Sequence, residues 1–567
     1  MLQGIACSRG IGIGSICLIT EQDLKFDNST ITDTASEKIR FEKAIEKFKA
    51  DTTMQANDIR ERLGQKEAEI LEGHLVMISD PTMSGEMEKM IATGQCAEAA
   101  VSAVSDMFIG MFGSMEDDMM RQRAADIRDI KDSLLKILLG IEDIDIALLP
   151  QGTILVTKDL TPSMTSRINK DNISGIITEI GGKTSHTAIL ARALEIPAVL
   201  SVPDITALVK NKDTAIVDGS EGKVFVNPDG EVLSSYLIKR ENFIRLQGEL
   251  HKFRGVPTKT KDGTDLEVYC NIGTPRDAKK AIECDGEGIG LFRSEFLFMD
   301  AIRTPSEDDQ FNSYKEAVET MGDKTVIIRT LDIGGDKDIP YLNIAKEDNP
   351  FLGYRAIRYC LGNQDFYKTQ LRAILRASAF GNIKIMVPLV TCIDELRSVK
   401  EIVSELKKEL SAKDISFDKD IQIGCMMETA SASLIADILA KEADFFSIGT
   451  NDLTQYTMSV DRGNANVSYL YSAFQPSVLR SIRNIISEGN NAEIPVGMCG
   501  EAASDPMMIP LLISFGLKEF SVNPVQVLAT RAAISKWSVE EANALCDKVM
   551  SLTCEAEISS LLKKEAR

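Results

Sequence analysis

Three histidines, His74, His186 and His251, are all that the 567 residues contain. Any chemistry that runs through imidazole therefore has very few carriers. Basic residues are also in deficit: 64 Lys and Arg face 85 Asp and Glu, for a net charge of −21 and a pI near 4.8. Nucleic acid and anionic membranes select basic surfaces, so neither is expected as a partner. No apolar run reaches the roughly 18 residues of a membrane helix; the nearest, around Met507–Leu517, is too short. The opening MLQGIACSRGIGIG lacks a basic start ahead of a long apolar core, so no signal peptide is expected. Eleven cysteines include no CxxC pair and no zinc-like spacing with histidine. Reduced thiols and a cytoplasmic location follow.

What is present is an ordinary globular composition, 44% hydrophobic, in a chain long enough for several domains. Gly4, Gly10, Gly12 and Gly14 punctuate apolar residues in 1–20, which reads as strands joined by turns. From 24 to 143 the apolar spacing becomes helical: Ile39, Ala44, Ile45 and Phe48, then Ile70, Leu71, His74, Leu75 and Ile78. Thr34 with Glu37 has the pattern of a capping box, and Asp80-Pro81 breaks one helix from the next. This stretch holds 15 basic and 24 acidic residues, a net of −9. His74 reads as packing or capping. Short β-rich runs return over 146–228, with helix signals between them. They pair most simply with 1–20, which makes the helical stretch an insertion.

A helical linker from about Ser234 to His251 leads to a second region, where His251 reads as linker surface. Here strand and helix patterns alternate. Eight strand candidates stand out: Leu266–Asn271, Gly288–Arg293, Thr325–Arg329, Ile383–Pro388, Ile421–Met427, Phe445–Ile448, Ile494–Met498 and Glu519–Val522. Eight βα units in about 300 residues predict a (β/α)₈ barrel, whose reactive groups sit at the C-terminal strand ends. The unusual polar residues fall there: Arg293, Arg329, Glu428, Asn451, Asp452 and Cys499, with Arg462 soon after the sixth strand. Three guanidinium forks suit a phosphate and a carboxylate. Two carboxylates, Glu428 and Asp452, suit Mg²⁺ that also takes substrate oxygens. Such arginines and acids can also simply pair with one another at a barrel rim, though six at successive strand ends argue for a site. His186, in GGKTSHTAILARAL, follows two glycines and the capping types Thr184 and Ser185. It is placed near a helix N-terminus, an end that favours phosphate. Cys499 lies between glycines, where an inert thiol and a reactive one are both open.

At these residues the chain resembles enzyme I of the bacterial phosphoenolpyruvate-dependent sugar phosphotransferase system. The likeness spans nearly the whole length, through SRGIGIG, EGHLVMISDP, GGKTSHTAI, GLFRSEFLFMD, RTLDIGGDK, NPFLGYRAIR, IGTNDLTQY, DRGN and GMCGE. It implies a swivelling α/β phosphohistidine domain (1–20 and 146–230), an inserted helical bundle (21–145) and a linker (231–258). A phosphoenolpyruvate-binding TIM barrel that dimerises (259–567) completes the chain. It further implies that His186 takes the phosphoryl group and that Arg293, Arg329, Asn451, Asp452 and Arg462 hold phosphoenolpyruvate. Glu428 and Asp452 would bind Mg²⁺, and Cys499 would protonate enolpyruvate. Thr165 would hydrogen-bond the active histidine, and Arg355 would add charge near the substrate. The insert would dock a histidine-containing phosphocarrier protein. Because His186 and the substrate residues belong to different domains, the linker is expected to act as a hinge.

Two departures stand out. Lys183 replaces an Arg common in the family, and METASAS lacks the Pro common after Glu-Thr. Dikinases and synthases that share the histidine loop and barrel also need a large ATP-binding domain, for which 1–145 is too short. A non-catalytic regulator of the same fold would have lost His186, Cys499 or a carboxylate, and none is missing.

Overall fold

The computed structural model describes residues 1–567 except 20–23, 29, 63–64, 114–117, 142–145, 162–163, 165–167, 183–184, 300, 302, 335–338, 343, 346, 465 and 566–567. The chain divides into two compact units, Met1–Gln247 and Gly248–Arg567. No described helix is long and apolar enough to cross a membrane.

The first unit is built on an eight-stranded sheet. Its strands are β1 (Leu2–Gln3), β2 (Ile5–Ser8), β3 (Ile11–Ile19), β4 (Thr153–Thr157), β5 (Ile173–Thr178), β6 (Ala198–Leu200), β7 (Thr214–Asp218) and β8 (Lys223–Val226), in the order β1-β8-β7-β3-β4-β5-β6-β2. β3 pairs in parallel with β4, which joins the first residues to the segment after 150. The glycines of 11–19 therefore do not mark turns. Gly12 and Gly14 lie inside one nine-residue strand. A Cβ on Gly14 would stand 1.8 Å from the Gly152 carbonyl oxygen, and one on Gly12 2.1 Å from that of Ser174. Close backbone approach, not a bend, requires glycine there.

Among the described residues between β3 and β4 run the α-helices α1 (Thr34–Arg62), α2 (Gln65–Ser79), α3 (Pro81–Ala92), α4 (Ala97–Gly113) and α5 (Asp118–Leu139). Asp80 caps α3 by accepting from the Thr82 N–H at 2.7 Å, with Pro81 at the first helical position. The capping box at Thr34 does not form. Thr34 is already helical, the Asp33 carboxylate accepts from the Ser36 N–H at 3.1 Å, and Glu37 turns to Arg40. Arg40 also reaches Glu98 at 2.6 Å, clamping α1 to α4. Helical spacing misplaced one core position as well: Ile39 is exposed, and Phe41 is sealed with Ile78, Met87, Ile91 and Val101. His74 is buried, 3.6 Å from Asp126.

The second unit closes eight parallel strands into a barrel: β9 (Glu267–Ile272), β10 (Ile289–Arg293), β11 (Val326–Arg329), β12 (Ile383–Val387), β13 (Gln422–Met427), β14 (Phe446–Ile448), β15 (Val496–Met498) and β16 (Glu519–Val522). All eight overlap the runs expected from the sequence. Leu291, Ile327, Met386, Met426, Phe445 and Cys499 pack together as one cluster, and a far larger apolar cluster packs helices against strands.

The Gly230–His251 helix spans the division between the units and buries none of its residues. Lys239 ties it to Asp218 at 2.7 Å and Glu221 at 2.6 Å. Past its end the chain is held by Arg531, which donates to the Phe253 carbonyl at 2.7 Å, the Thr258 hydroxyl at 3.0 Å and the Asp285 carbonyl at 2.9 Å, and pairs with the Asp285 carboxylate. His251 is exposed, as expected.

Candidate active site

In the first unit, β5 leads through Gly181 and Gly182 to a helix over His186–Ala193. Ser185 is its N-cap and accepts from the Ala188 N–H at 3.3 Å. His186 is thus the first helical residue, where first-turn N–H groups lack intrahelical acceptors. Thr187 is sealed, and its hydroxyl donates to the Leu160 carbonyl at 3.4 Å, so the helix start is fixed. Thr165, Lys183, Thr184 and the side chain of His186 lie outside the described residues.

In the barrel, the strands bring the expected side chains to one end. Arg293 closes β10 and is half-buried; Arg329 closes β11 and is buried. Glu428 follows β13, Cys499 follows β15, and Asn451 and Asp452 open the Thr450–Met458 helix after β14. The guanidinium of Arg462 lies 3.5 Å from Asp452 and is one-third exposed. Arg355 is sealed, 3.8 Å from Asp452. The carbonyl of half-buried Asn451 accepts from the Tyr471 hydroxyl at 3.2 Å.

Several residues that sequence reasoning did not single out hold this arrangement. Asp332 is buried between two arginines, 3.0 Å from Arg329 and 2.7 Å from Arg355. Glu295 is the second partner of Arg329. Tyr456 accepts from Arg355 at 3.3 Å and donates to the Phe351 carbonyl. Asp332 and Glu295 sat in view within RTLDIGGDK and RSEF, as acids two or three residues from a strand-end arginine. Beneath them the Ser294 hydroxyl donates to the Arg329 carbonyl at 2.6 Å, and Gln370 donates to Ser294 at 3.0 Å while accepting from the Leu331 N–H at 2.9 Å. The loop after β13 is well formed without the family's Pro: Thr429 caps the next helix at 3.0 Å and donates to the Val390 carbonyl at 2.8 Å.

Electrostatics separate the two reactive groups at this end. Burial pushes the Cys499 thiol up to about 11, against the pull of Arg329 and Arg293, so it keeps its proton at neutral pH. Burial, then the nearby charges of Asp452 and Asp332, push Glu428 up to about 8, against Arg329 and Arg355. The Leu389 N–H donates to Glu428 at 2.7 Å, from a residue held at φ 55°. A buried carboxyl raised in this way, with the charge of Asp452 nearby, suits a cation. Among the described residues, no group of three or more His, Cys, Asp or Glu side chains gathers as a metal cage.

Known proteins match along the same divisions. Residues 3–123 match the PEP-utilising enzyme N-terminal domain, 149–222 the mobile domain and 247–539 the PEP-binding domain. Enzymes of this family draw on a divalent metal. A solved enzyme I N-terminal structure is 36% identical, covering 43% of this chain and 99% of that one at a TM-score of 0.39. The phosphoenolpyruvate-protein phosphotransferase of Listeria monocytogenes is 42% identical over 564 residues, and those of Bacillus subtilis and Staphylococcus aureus are each 43% identical over the same length. In all three cases the match spans 99% of both chains. With every strand-end group in place and the likeness running from end to end, the chain belongs to the phosphoenolpyruvate-protein phosphotransferase family.

Proposed function

We propose that the chain moves the phosphoryl group of phosphoenolpyruvate to His186 and then to the histidine of a small phosphocarrier protein, with release of pyruvate. The observation that carries this reading is the convergence of Arg293, Arg329, Arg462 and Arg355 with Glu428, Asp452 and Cys499 at one end of a single barrel. Phosphoryl transfer needs positioning and charge neutralisation more than covalent help from the protein. The arginine forks bind phosphate and carboxylate, and the Asn451 side chain is close enough in sequence to Asp452 to share that loop's role. Glu428 and Asp452 would hold Mg²⁺, which supplies charge neutralisation at the phosphate oxygens when bound. Buried Cys499 keeps a proton ready for the enolpyruvate carbon. His186, the first residue of a helix, supplies the imidazole that takes the phosphoryl group.

On this reading 1–20 with 146–230 form the phosphohistidine domain, and the acidic insert 21–145 docks a basic-faced carrier. Residues 231–258 link them to the barrel, which pairs two copies into a homodimer. The protein works in the cytoplasm without nucleic acid or membrane insertion. The test is incubation with labelled phosphoenolpyruvate and Mg²⁺. Acid-labile label is expected on the protein, absent from His186→Ala and transferable to the carrier. Acid-labile label persisting in that variant would overturn the assignment. Carrier labelling should weaken with salt; salt-independent docking would remove the acidic insert from the role.

A further inference from the structure

β14, β15 and β16 set Ser447, Gly497 and Glu519 side by side in register. All three face the barrel interior. Ser447 shares the face of Phe445, and Gly497 that of Cys499, because side chains of one strand alternate with period two and Phe445 and Cys499 pack in the inner cluster. The Glu519 carboxyl leans across its neighbour: a Cβ on Gly497 would lie 2.9 Å from Glu519 Cδ, and one on Gly290 2.4 Å from Oε1. Side chains at those glycines would fill the space the carboxyl occupies. The carboxyl therefore lies above Gly497, and Ser447 is on the next strand, roughly 4.8 Å away.

Two polar atoms border this space without a hydrogen-bond partner among the described residues, Glu519 Oε1 and Ser447 Oγ, and both are sealed from solvent. Orphaned buried polar atoms are rare and call for a reason. Ser447 is also close enough to Cys499 to favour its thiolate, although the two form no well-aligned hydrogen bond. Other ionisable groups face Glu519: Lys384 of β12, which favours its charge, and Glu267 of β9, which opposes it. Tyr269 of β9 feels both carboxylates. Burial outweighs them and pushes Glu519 up to about 8, so the acid is protonated at neutral pH.

We propose that Glu519 is the proton reservoir that recharges Cys499 after each turnover, with the Ser447 hydroxyl as the link. This rests on the reading of Cys499 as the proton donor. When the phosphoryl group leaves, the enolate carbon takes the Cys499 proton: a C–H bond forms, the S–H bond breaks and its electron pair stays on sulfur. The thiolate then takes the Ser447 hydroxyl proton. Ser447 takes one from the Glu519 carboxyl, directly or through a water, and the carboxylate regains a proton from solvent at the half-buried start of β16. No electrons are exchanged with an outside reagent. Glu519 acts through Cys499 and touches no substrate, so it is a positioning residue.

The test separates phosphoryl transfer from proton delivery. In Glu519→Gln and in Ser447→Ala, single-turnover phosphorylation of His186 should keep its rate. Steady-state pyruvate release should fall on the order of a hundredfold, leaving a burst of one turnover. Pyruvate release by the unaltered protein should decline as pH rises through about 8, and Glu519→Gln should lose that limb. A small buffer acid such as imidazolium should restore its rate. Wild-type pyruvate release in both variants would overturn the relay, and so would equal slowing of phosphorylation and release, which marks a structural role. If one variant fails to fold, the other carries the same readouts. Cys499→Ala distinguishes the two levels: normal pyruvate release there defeats the donor reading itself, whereas loss there with both relay variants intact defeats only the relay.

Discussion

At the barrel's C-terminal end, Arg329, Asp332, Arg355, Glu428 and Asp452 are all buried, each ionic side chain within reach of others. In the N-terminal unit two ion-paired groups keep one partner in water: Arg40 is 40% exposed beside Glu37 and Glu98, and Lys239 is 42% exposed beside Asp218. Its candidate nucleophile sits at the first turn of an eight-residue helix, where backbone N–H groups stand in for charged side chains. Burying charges costs several kcal/mol per ion unless each is paired. A cradle for a small, multiply anionic substrate gains from that cost, because arginines already oriented lose little further on binding. On the proposed function, a group that meets first a substrate and then a carrier gains from backbone donors that do not tie it to one charged partner. The contrast separates a rigid binding end from a transferable one, and it can be tested from both sides.

The largest effect is expected where the units divide the work. His186→Ala should reduce labelling by phosphoenolpyruvate to background while leaving the barrel's melting transition and its binding of phosphoenolpyruvate unchanged. Loss of binding in that variant would mean the two functions are not separable. Next is the barrel's anchor. Arg531→Ala strands the Asp285 carboxylate and frees the chain at Phe253, which should cost about 3–5 kcal/mol. Trp537, the only tryptophan, is buried in the same unit, so its fluorescence reports barrel unfolding alone. A loss below about 1 kcal/mol would place the pair with surface salt bridges.

The third tests preorganisation directly. Asp332→Asn keeps volume but removes the charge that orients Arg329 and Arg355 together. kcat/KM for phosphoenolpyruvate should fall on the order of a hundredfold, since small misplacements at a reacting centre cost that much. An unchanged kcat/KM would show that the arginines orient themselves.

Legibility in the sequence follows the same divide. The barrel strands were readable because each is a short β-rich run followed by a helical stretch, and strand-end polarity marked Arg293, Arg329, Glu428, Asn451, Asp452 and Cys499. Asp332 was in view beside Arg329, but its role as a shared partner was not, because that depends on Arg355 folding back onto it across an intervening loop. Gly12 and Gly14 misled because a glycine required by backbone contact looks like one required by a turn. Thr34 misled because Asp33, one residue earlier, takes the cap. Ile39 and Phe41 exchanged roles because tertiary packing, not spacing alone, chose the buried stripe. Glu519 had no signal at all: a glutamate opening a strand reads as surface, and only the glycines on β10 and β15 let its carboxyl turn inward.

That last residue yields the smallest effect and the finest test of how the barrel handles buried charge. The ordinary pKa of a glutamate is about 4.5, and the folded barrel holds Glu519 at about 8. Below pH 4.5 both folded and unfolded chains carry the proton, and its contribution to stability is complete. Between pH 4.5 and 8 the unfolded chain releases the proton and the folded chain keeps it, so the folded state binds more protons and stability falls as pH rises. Above about 8 the decline ends. Each tenfold difference in proton affinity between the folded and unfolded chains is worth at most about 1.4 kcal/mol. Solvent at the half-buried start of β16 reduces that, so a loss on the order of 1–2 kcal/mol between pH 5 and pH 8 is expected. Glu519→Gln cannot ionise, so the difference between the two proteins in Trp537-monitored unfolding should narrow or reverse across that window. A difference that stays flat from pH 5 to pH 8 would mean the carboxyl is hydrated and charged. Buried charge in the barrel would then be confined to the paired groups at its C-terminal end.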